Sequence, residues 1–309
     1  MKNKNYITDP IESLDSTTNK PPTPPSSLSL HNQSIYDYTI KFIEEVQSLT
    51  VTLPLIEPFV PIEKLKEIPR TGKAIRLKSM QFESIKPRSI YDHIMSMAYL
   101  ADSFLGMDKK PLIEAYDYPN LGRLIAYHEV NESLVGDIPA YTDITGDSLK
   151  DKNNSRIKAI NPDKREKIVN EFLWMYANDQ QRSSIKEMNR NLSNQNTALM
   201  KYFRMLDRID PIVAIWKYIH KYREILQANP REFINGMNDF FVYPKTTAYQ
   251  NTPHSIDFPY LQNILPVLMD PQAALKYCNG TPINDLFKQK KKAQILKNLI
   301  EEVPLFFND

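Results

Sequence analysis

The feature that most constrains the fold of this chain is a segment with helical periodicity. This segment carries two titratable residues on its apolar face. In NLGRLIAYHEVNESLVG, residues 120–136, apolar and titratable residues recur at intervals of three or four and so share one face of a helix. This face is formed by Leu121, Ile125, His128, Glu132 and Val135. Such a face normally packs on the core, where an imidazole or a carboxylate is costly unless it is paired or bound to a metal. The pattern predicts a helix over 119–135 with a polar site on its packed face.

Two other segments also place titratable residues beside a packed face. In SIYDHIMSMAYLA, His93 lies at the edge of an apolar helical stripe. In KYFRMLDRID, Asp207 follows Phe203 by four residues and Asp210 follows it by seven. Any one of these residues alone is typical of a satisfied polar side chain, but three segments in this order favour one shared site.

The pair Asp210-Pro211 has the pattern of a helix start, with the aspartate as N-cap and the proline in the first turn. Asp210 is therefore interpreted as a cap rather than a ligand. The periodicity predicts helices at about 88–105, 119–135, 163–178, 182–208, 212–227, 231–240 and 284–302.

Composition favours an all-α fold. The chain has 309 residues, enough for a sizeable core, with only 7 glycines and as many as 23 prolines. Scarce glycine and long amphipathic segments indicate helices joined by proline-rich connections. We expect a helical bundle over 35–225, preceded by a disordered tail at 1–34 and followed by a helical and irregular extension at 226–309 that packs on it. The prolines of TLPLIEPFVPIEKL predict extended chain there.

The net charge and the cysteine content limit the partners and the cellular compartment that we expect for this protein. The net charge is +2, which provides no general attraction to nucleic acid or membrane. No apolar run reaches the roughly 18 residues that a membrane helix needs, and the first residues lack the apolar core of a secretory signal. The single cysteine, Cys278, fits a reducing compartment. We therefore expect a cytoplasmic protein with neither a membrane nor a nucleic-acid partner.

Three segments resemble the HD-domain superfamily of metal-dependent phosphohydrolases, and most closely its 5′-deoxynucleotidase family. LKEIPRTGKAIR is similar to the family's L-K-x-x-P-R-T-G-W, and ESIKPRSIYDHIMSMA to its E-S-V-x-(E/D)-H helix. YHEVNESLVGDIP is the most specific, because six positions match H-D-x-x-E-x-x-x-G-D-(I/L)-P at fixed spacing. The resemblance covers about 62–141 and 199–215. It implies hydrolysis of (deoxy)nucleoside 5′-monophosphates by a metal-activated water molecule, and it suggests a homodimer.

The resemblance also implies a metal centre. Its ligands would be His93, His128, Glu129 and Asp207. Two imidazoles and two carboxylates with open positions suit a divalent ion such as Mn, Co, Fe or Mg.

The remaining site residues implied by the resemblance act on the substrate. Glu132 would be the general acid or base, and Asp137 would contact the sugar or support the ligands. Arg70 would hold the phosphate through its planar guanidinium, with Arg76 as a second candidate.

Two positions depart from the family pattern and keep other functions open. Glu129 stands where the family has aspartate, and Lys73 where it often has tryptophan. One alternative is a non-catalytic HD-like module that binds a nucleotide or a protein through a degenerate metal site. Another is a nucleotide phosphodiesterase or triphosphohydrolase, since the superfamily includes both.

Overall fold

The structure, a computed structural model, describes most of the chain after residue 32. The described residues are 33–49, 51–53, 56–70, 77–78, 80–82, 84–105, 113–137, 171–194, 196–238, 241 and 259–302. The predicted N-terminal tail lies outside them up to residue 32, as does the polar segment 141–164.

Helices form most of the described structure. Their bounds are α1 (Ile35–Gln47), α2 (Pro61–Glu67), α3 (Ile90–Leu105), α4 (Tyr118–Tyr127), α5 (Glu132–Val135), α6 (Asp179–Ser193), α7 (Ala198–Lys221), α8 (Arg223–Leu226), α9 (Pro230–Gly236), α10 (Pro259–Leu268), α11 (Pro271–Cys278), α12 (Ile283–Leu286) and α13 (Lys290–Lys297). A 3₁₀ turn, Ala115–Asp117, precedes α4, and a π-helical turn, Asn298–Glu302, follows α13. The predicted all-α fold is confirmed.

One small hairpin interrupts the helical order. Strands β1 (Val51–Leu53) and β2 (Ile56–Phe59) pair antiparallel, with Val51 opposite Phe59 and Leu53 opposite Ile56. They lie in the proline-rich segment that was expected to be extended. Proline lacks the N–H that a helix interior requires, so the chain here forms a hairpin before α2 begins.

The start of α1 is fixed both locally and by a distant helix. Ser34 Oγ accepts from Asp37 N at 3.1 Å, and Asp37 accepts from Ser34 N at 3.0 Å, which together form a capping box. Asp102 of α3 accepts from the backbone N–H groups of Ile35 and Tyr36, both at 2.8 Å. The Asp102 side chain of α3 therefore helps to fix where α1 begins.

Helices α1 and α4 approach closely at Gly122. A Cβ at this position would lie 2.7 Å from Tyr38 Cβ and 2.9 Å from Thr39 N. Since one of those atoms belongs to the α1 backbone, a side chain at 122 cannot be accommodated by a rotamer change alone.

We expect Gly122→Ala to lower the free energy of unfolding by about 1–3 kcal/mol, because the added methyl group forces the two helices apart. Denaturant unfolding measures this. Gly236→Ala is the comparison, since the three atoms nearest to a Cβ placed there belong to the flexible side chain of Met80, and its loss should be smaller. Equal losses at both glycines would contradict the close approach of the helix backbones.

Glu45 links three helices at the far end of α1. Its Oε2 accepts from Tyr127 of α4 at 3.2 Å and from Ser184 of α6 at 2.8 Å, and its Oε1 accepts from Gln180 at 2.8 Å. Together with the close packing at Gly122, these bonds hold α4 against α1.

The long helix α7 lies at the centre, and the C-terminal helices pack on it. Trp216 Nε1 donates to the Leu268 carbonyl at 3.0 Å. His220 Nδ1 lies 2.9 Å from the Tyr277 hydroxyl, and Arg223 donates to the Tyr277 carbonyl at 2.8 Å. The described residues from Gln33 onward form one compact unit, and a domain boundary at residue 225 stays a prediction.

Several helix predictions are wrong. The helix predicted over 182–208 is instead α6 and the first part of α7, since α6 ends at Ser193 and α7 begins at Ala198. The predicted break at 210–211 does not occur, because α7 continues through Pro211 and buries Asp210 completely. The free energy lost through the missing N–H of Pro211 is smaller here than the free energy gained by packing the helix along its length. The single helix predicted over 284–302 is instead α12 and α13, separated after Leu286.

None of the helices that the structure describes is long and apolar enough to cross a membrane.

Candidate metal centre

The first turn of α3 positions His93. Asp92 accepts from Ser89 N at 2.6 Å, and Ser89 Oγ accepts from Asp92 N at 3.1 Å, which caps the helix immediately before the histidine. The chain before the cap is also held, because Ile90 N donates to Ile68 O and Arg70 N donates to Arg88 O, each at 2.9 Å. This backbone pairing brings Arg70 beside the start of α3.

His128 and Glu129 lie in a turn rather than in a continuous helix. The helix predicted over 119–135 ends at Tyr127, and α5 begins at Glu132. Between them the backbone bonds span three residues, as in Val130 N to Tyr127 O and Glu132 N to Glu129 O. The prediction of one helix is therefore wrong, because i+3 bonds replace the α-helical ladder at this point.

Gly136 turns the chain back toward the same region. Its φ of +76°, which only glycine adopts at little cost, ends α5. Asp137 follows directly, and its Oδ1 lies 3.7 Å from Nη1 of Arg70.

Four titratable side chains from three parts of the chain meet at one point. A ligand atom from each of His93, His128, Glu129 and Asp207 lies within 4.8 Å of those of the other three. From His93 Nε2 the distances are 3.4 Å to His128 Nε2, 3.4 Å to Asp207 Oδ1 and 3.5 Å to Glu129 Oε1. The longer glutamate at 129 thus reaches the same point as the other three side chains.

The opposite nitrogen of each histidine ring is held by another group. His128 Nδ1 donates to the Ile125 carbonyl at 2.8 Å. His93 Nδ1 lies 2.6 Å from Asp210 Oδ2. With Nδ1 engaged outside the cluster, the Nε2 atoms are directed into it, which is the usual arrangement of metal-binding histidines. The edge-to-face ring contact of Phe203 with His128, at 5.2 Å between centroids, also restricts that ring.

Arg70 lies among the carboxylates beside the cluster. Its Nη1 is 2.8 Å from Glu129 Oε1 and 3.9 Å from Glu132 Oε2. Burial alone would raise the pKa of Glu129, but Arg70 and the two histidines lower it to about 2. Glu129 is therefore ionised and able to donate to a cation near neutral pH.

Glu132 has the opposite electrostatic environment. Burial, followed by the neighbouring charges of Glu129 and Asp137, raises the pKa of Glu132 well above its ordinary value. Its Oε2 is buried and has no hydrogen-bond partner among the described residues. A carboxyl group of this kind retains a proton at neutral pH and suits proton transfer.

The cluster is accessible at one side. The Asp207 side chain is 44% exposed, whereas that of His93 is 0% exposed. The two imidazoles and two carboxylates, with an unpartnered buried oxygen of Glu132 next to them, fit a divalent metal ion. This group could hold a metal ion.

Sequence comparison determines the family. Residues 62–245, more than half of the chain, match the family model of the HD domain. This chain belongs to the HD-domain family. It is also 28% identical over 188 residues to 5'-deoxynucleotidase HDDC2 of Xenopus laevis, an alignment that covers 60% of this chain and 78% of that protein. No solved structure matches the chain.

The HD-domain resemblance predicted from the three motifs is confirmed by this match. HD-family membership and the His/Glu/Asp group together support a metal-dependent phosphohydrolase.

Most residues that the sequence assigned to the HD-domain site lie together. Arg70, Glu132 and Asp137 lie together next to the four-residue cluster. Arg76 and Lys73 lie outside the described residues.

Asp210 was missed, although its contact with His93 makes it part of the site. Its spacing of three from Asp207 puts both on one face of a helix, which was a usable signal. The proline that follows directed the interpretation toward an N-cap instead.

Proposed function

We propose that this protein is a phosphomonoesterase that releases phosphate from (deoxy)nucleoside 5′-monophosphates with the help of a divalent ion. The observation that carries the proposal is the convergence of four ligand atoms within 4.8 Å, next to an arginine and a buried carboxyl group. The name of the Xenopus relative supports the nucleotide as the substrate class.

His93, His128, Glu129 and Asp207 are the proposed ligands. Glutamate at 129 keeps the charge and the oxygen donors of aspartate, and its Oε1 lies 3.5 Å from His93 Nε2 and 3.7 Å from His128 Nε2. These distances support its role despite the extra methylene group. An ion bound there would lower the pKa of a water molecule and supply the nucleophile near neutral pH.

Glu132 is the proposed general acid. Its raised pKa keeps a proton available at neutral pH for the sugar oxygen that leaves the phosphorus. Asp137 accompanies it as an acceptor beside Arg70, at 3.7 Å, and helps to orient the guanidinium or the sugar.

Arg70 is the proposed phosphate-binding residue. Its side chain is 22% exposed and so remains within reach of a ligand that enters beside the cluster. A planar guanidinium can contact two phosphate oxygens at once. Arg76 is proposed as a second phosphate contact.

We expect Arg70→Lys to lower kcat/KM by about 10–100-fold, because one charged hydrogen bond of about 1.5–3 kcal/mol is lost while the positive charge remains. Steady-state kinetics on a nucleoside monophosphate measures this. Arg190→Lys, an exposed arginine of α6 paired with Glu187, is the matched control and should behave as wild type. An unchanged kcat/KM for Arg70→Lys would remove Arg70 from the substrate site.

A panel assay tests the proposed function. Purified protein with all 309 residues, stripped of metal, is given Mn, Co or Mg, or is left in EDTA, and incubated with ribo- and deoxyribonucleoside 5′-monophosphates. Release of inorganic phosphate in the presence of metal and its absence in EDTA are expected. Nucleotide binding without turnover would support the binding-module alternative. Release of pyrophosphate or triphosphate, or opening of a cyclic nucleotide, would support the other phosphohydrolase classes.

A further inference from the structure

A network of charged side chains without access to water lies directly behind His93. Asp210 is 0% exposed, Lys217 1% and Arg88 3%. Charged groups at this depth are costly unless they are paired. The network is thus a built feature of the fold rather than an accidental contact.

Arg88 holds Asp210 with both terminal nitrogens. Its Nη1 donates to Asp210 Oδ1 at 3.0 Å, and its Nη2 donates to Oδ2. The backbone N–H of Arg88 donates to the Tyr218 hydroxyl at 2.6 Å. Both ends of the arginine are therefore fixed to α7, and they orient the carboxylate relative to the helix that also carries Asp207.

The other contact of Asp210 Oδ2 is with His93 Nδ1, at 2.6 Å. A neutral imidazole carries one proton, on either Nδ1 or Nε2. The ion pair with Arg88 keeps Asp210 as an acceptor, so the proton of His93 is held on Nδ1. The lone pair of Nε2 then faces His128, Glu129 and Asp207.

The two histidines of the cluster are supported differently. Nδ1 of His128 donates to a neutral backbone carbonyl, that of Ile125. Nδ1 of His93 contacts a carboxylate oxygen, that of Asp210, and a carboxylate partner increases the electron density on the ring and strengthens Nε2 as a donor.

We propose that Asp210, held by Arg88, is a positioning residue of the metal centre: it fixes the Nδ1–H tautomer of His93 and thereby sets the affinity of the site for a divalent ion. This inference rests on the proposed function, since it refines the same site. Asp210 is not one of the four proposed ligands; it contacts the ring nitrogen of His93 on the side away from the cluster.

Asp210→Asn tests the inference, because asparagine has the same shape without the charge. We expect the affinity for Mn²⁺, measured by calorimetry on metal-stripped protein, to fall by about 10–100-fold. Asp102→Asn is the matched control. Asp102, on α3, is likewise a carboxylate that accepts hydrogen bonds through both oxygens, but its partners are backbone N–H groups of α1. Its variant should bind Mn²⁺ as wild type does.

Nitrogen-15 NMR of labelled histidine in metal-free protein provides a second measurement that a general loss of stability would not reproduce. At a pH where the rings are neutral, wild-type His93 should show a protonated Nδ1 and an unprotonated Nε2. Asp210→Asn should show a mixture of tautomers, and Asp210→Glu should recover much of the wild-type pattern.

The outcomes separate this inference from the proposed function. Wild-type protein that binds no metal overturns the proposed function, while its histidine spectrum still tests the role of Asp210. A wild-type His93 with its proton on Nε2 overturns the inference even if Asp210→Asn does not fold. Unchanged Mn²⁺ affinity in a folded Asp210→Asn also overturns it.

Discussion

His128→Ala should lose bound metal and phosphate release together. The imidazole provides one of only two nitrogen ligands in the cluster, and its Nε2 lies 3.4 Å from that of His93. A bound ion contributes several kcal/mol of transition-state stabilisation, and a loss of about 4 kcal/mol corresponds to a decrease of about a thousandfold in kcat/KM. Metal content by mass spectrometry and phosphate release on the same preparation measure both effects.

His220→Ala is the matched control for this variant. His220 is exposed at the end of α7 and contacts the Tyr277 hydroxyl, outside the cluster. Its replacement should leave metal content and rate unchanged. If His128→Ala kept both its metal and its activity, the cluster would not be the catalytic centre.

Glu132→Gln should lower kcat by about 10²–10⁴-fold while the protein keeps its metal, since glutamine has the same shape but cannot transfer a proton. Its position beside Glu129 and Asp137 gives the variant a second effect, on stability. Glutamine is neutral at every pH, so the variant also removes the cost of keeping this buried carboxyl group protonated as pH rises.

The sign of the stability effect follows from the raised pKa of Glu132. The folded protein binds this proton more tightly than the unfolded chain, so the contribution to stability is full below the unfolded pKa and is lost as pH rises toward the folded pKa. Metal-free Glu132→Gln should therefore gain stability relative to wild type as pH rises through neutrality. Glu67→Gln, an exposed residue paired with Lys64, should show neither effect. A Glu132→Gln enzyme with wild-type kcat would exclude this residue as the general acid.

Helical periodicity singled out His93, His128 and Asp207 as titratable residues near packed faces, and the family resemblance implied that they bind a metal ion. His93 and Asp207 lie in regular helices, where a spacing of three or four residues identifies neighbours on one face. The family resemblance added Glu129, whose position next to His128 in a turn has no helical periodicity to reveal it.

Tertiary contacts account for what sequence reasoning missed. Asp210-Pro211 has the local preference of a helix start, yet its carboxylate is neutralised by Arg88, which lies 122 residues away in sequence. The position of Arg70 similarly depends on the backbone pairing of 68–70 with 88–90. Periodicity within one segment contains no information about such distant pairings.

The break after Tyr127 has the same kind of cause. Every residue from 121 to 135 is compatible with a helix, and the apolar stripe is continuous across His128. The turn nevertheless forms where Arg70 and its neighbouring carboxylates meet. These tertiary contacts, rather than the local helix propensity, account for the interruption of the helix after Tyr127.

Titration of metal-stripped protein with Mn²⁺, with bound metal and phosphate release followed together, tests the central claim most directly. The account predicts that release from a deoxynucleoside 5′-monophosphate rises in proportion to the metal bound and reaches its maximum when the His93, His128, Glu129 and Asp207 site is filled. Phosphate release by protein without metal, or saturation with metal and no release from any monophosphate, would contradict it.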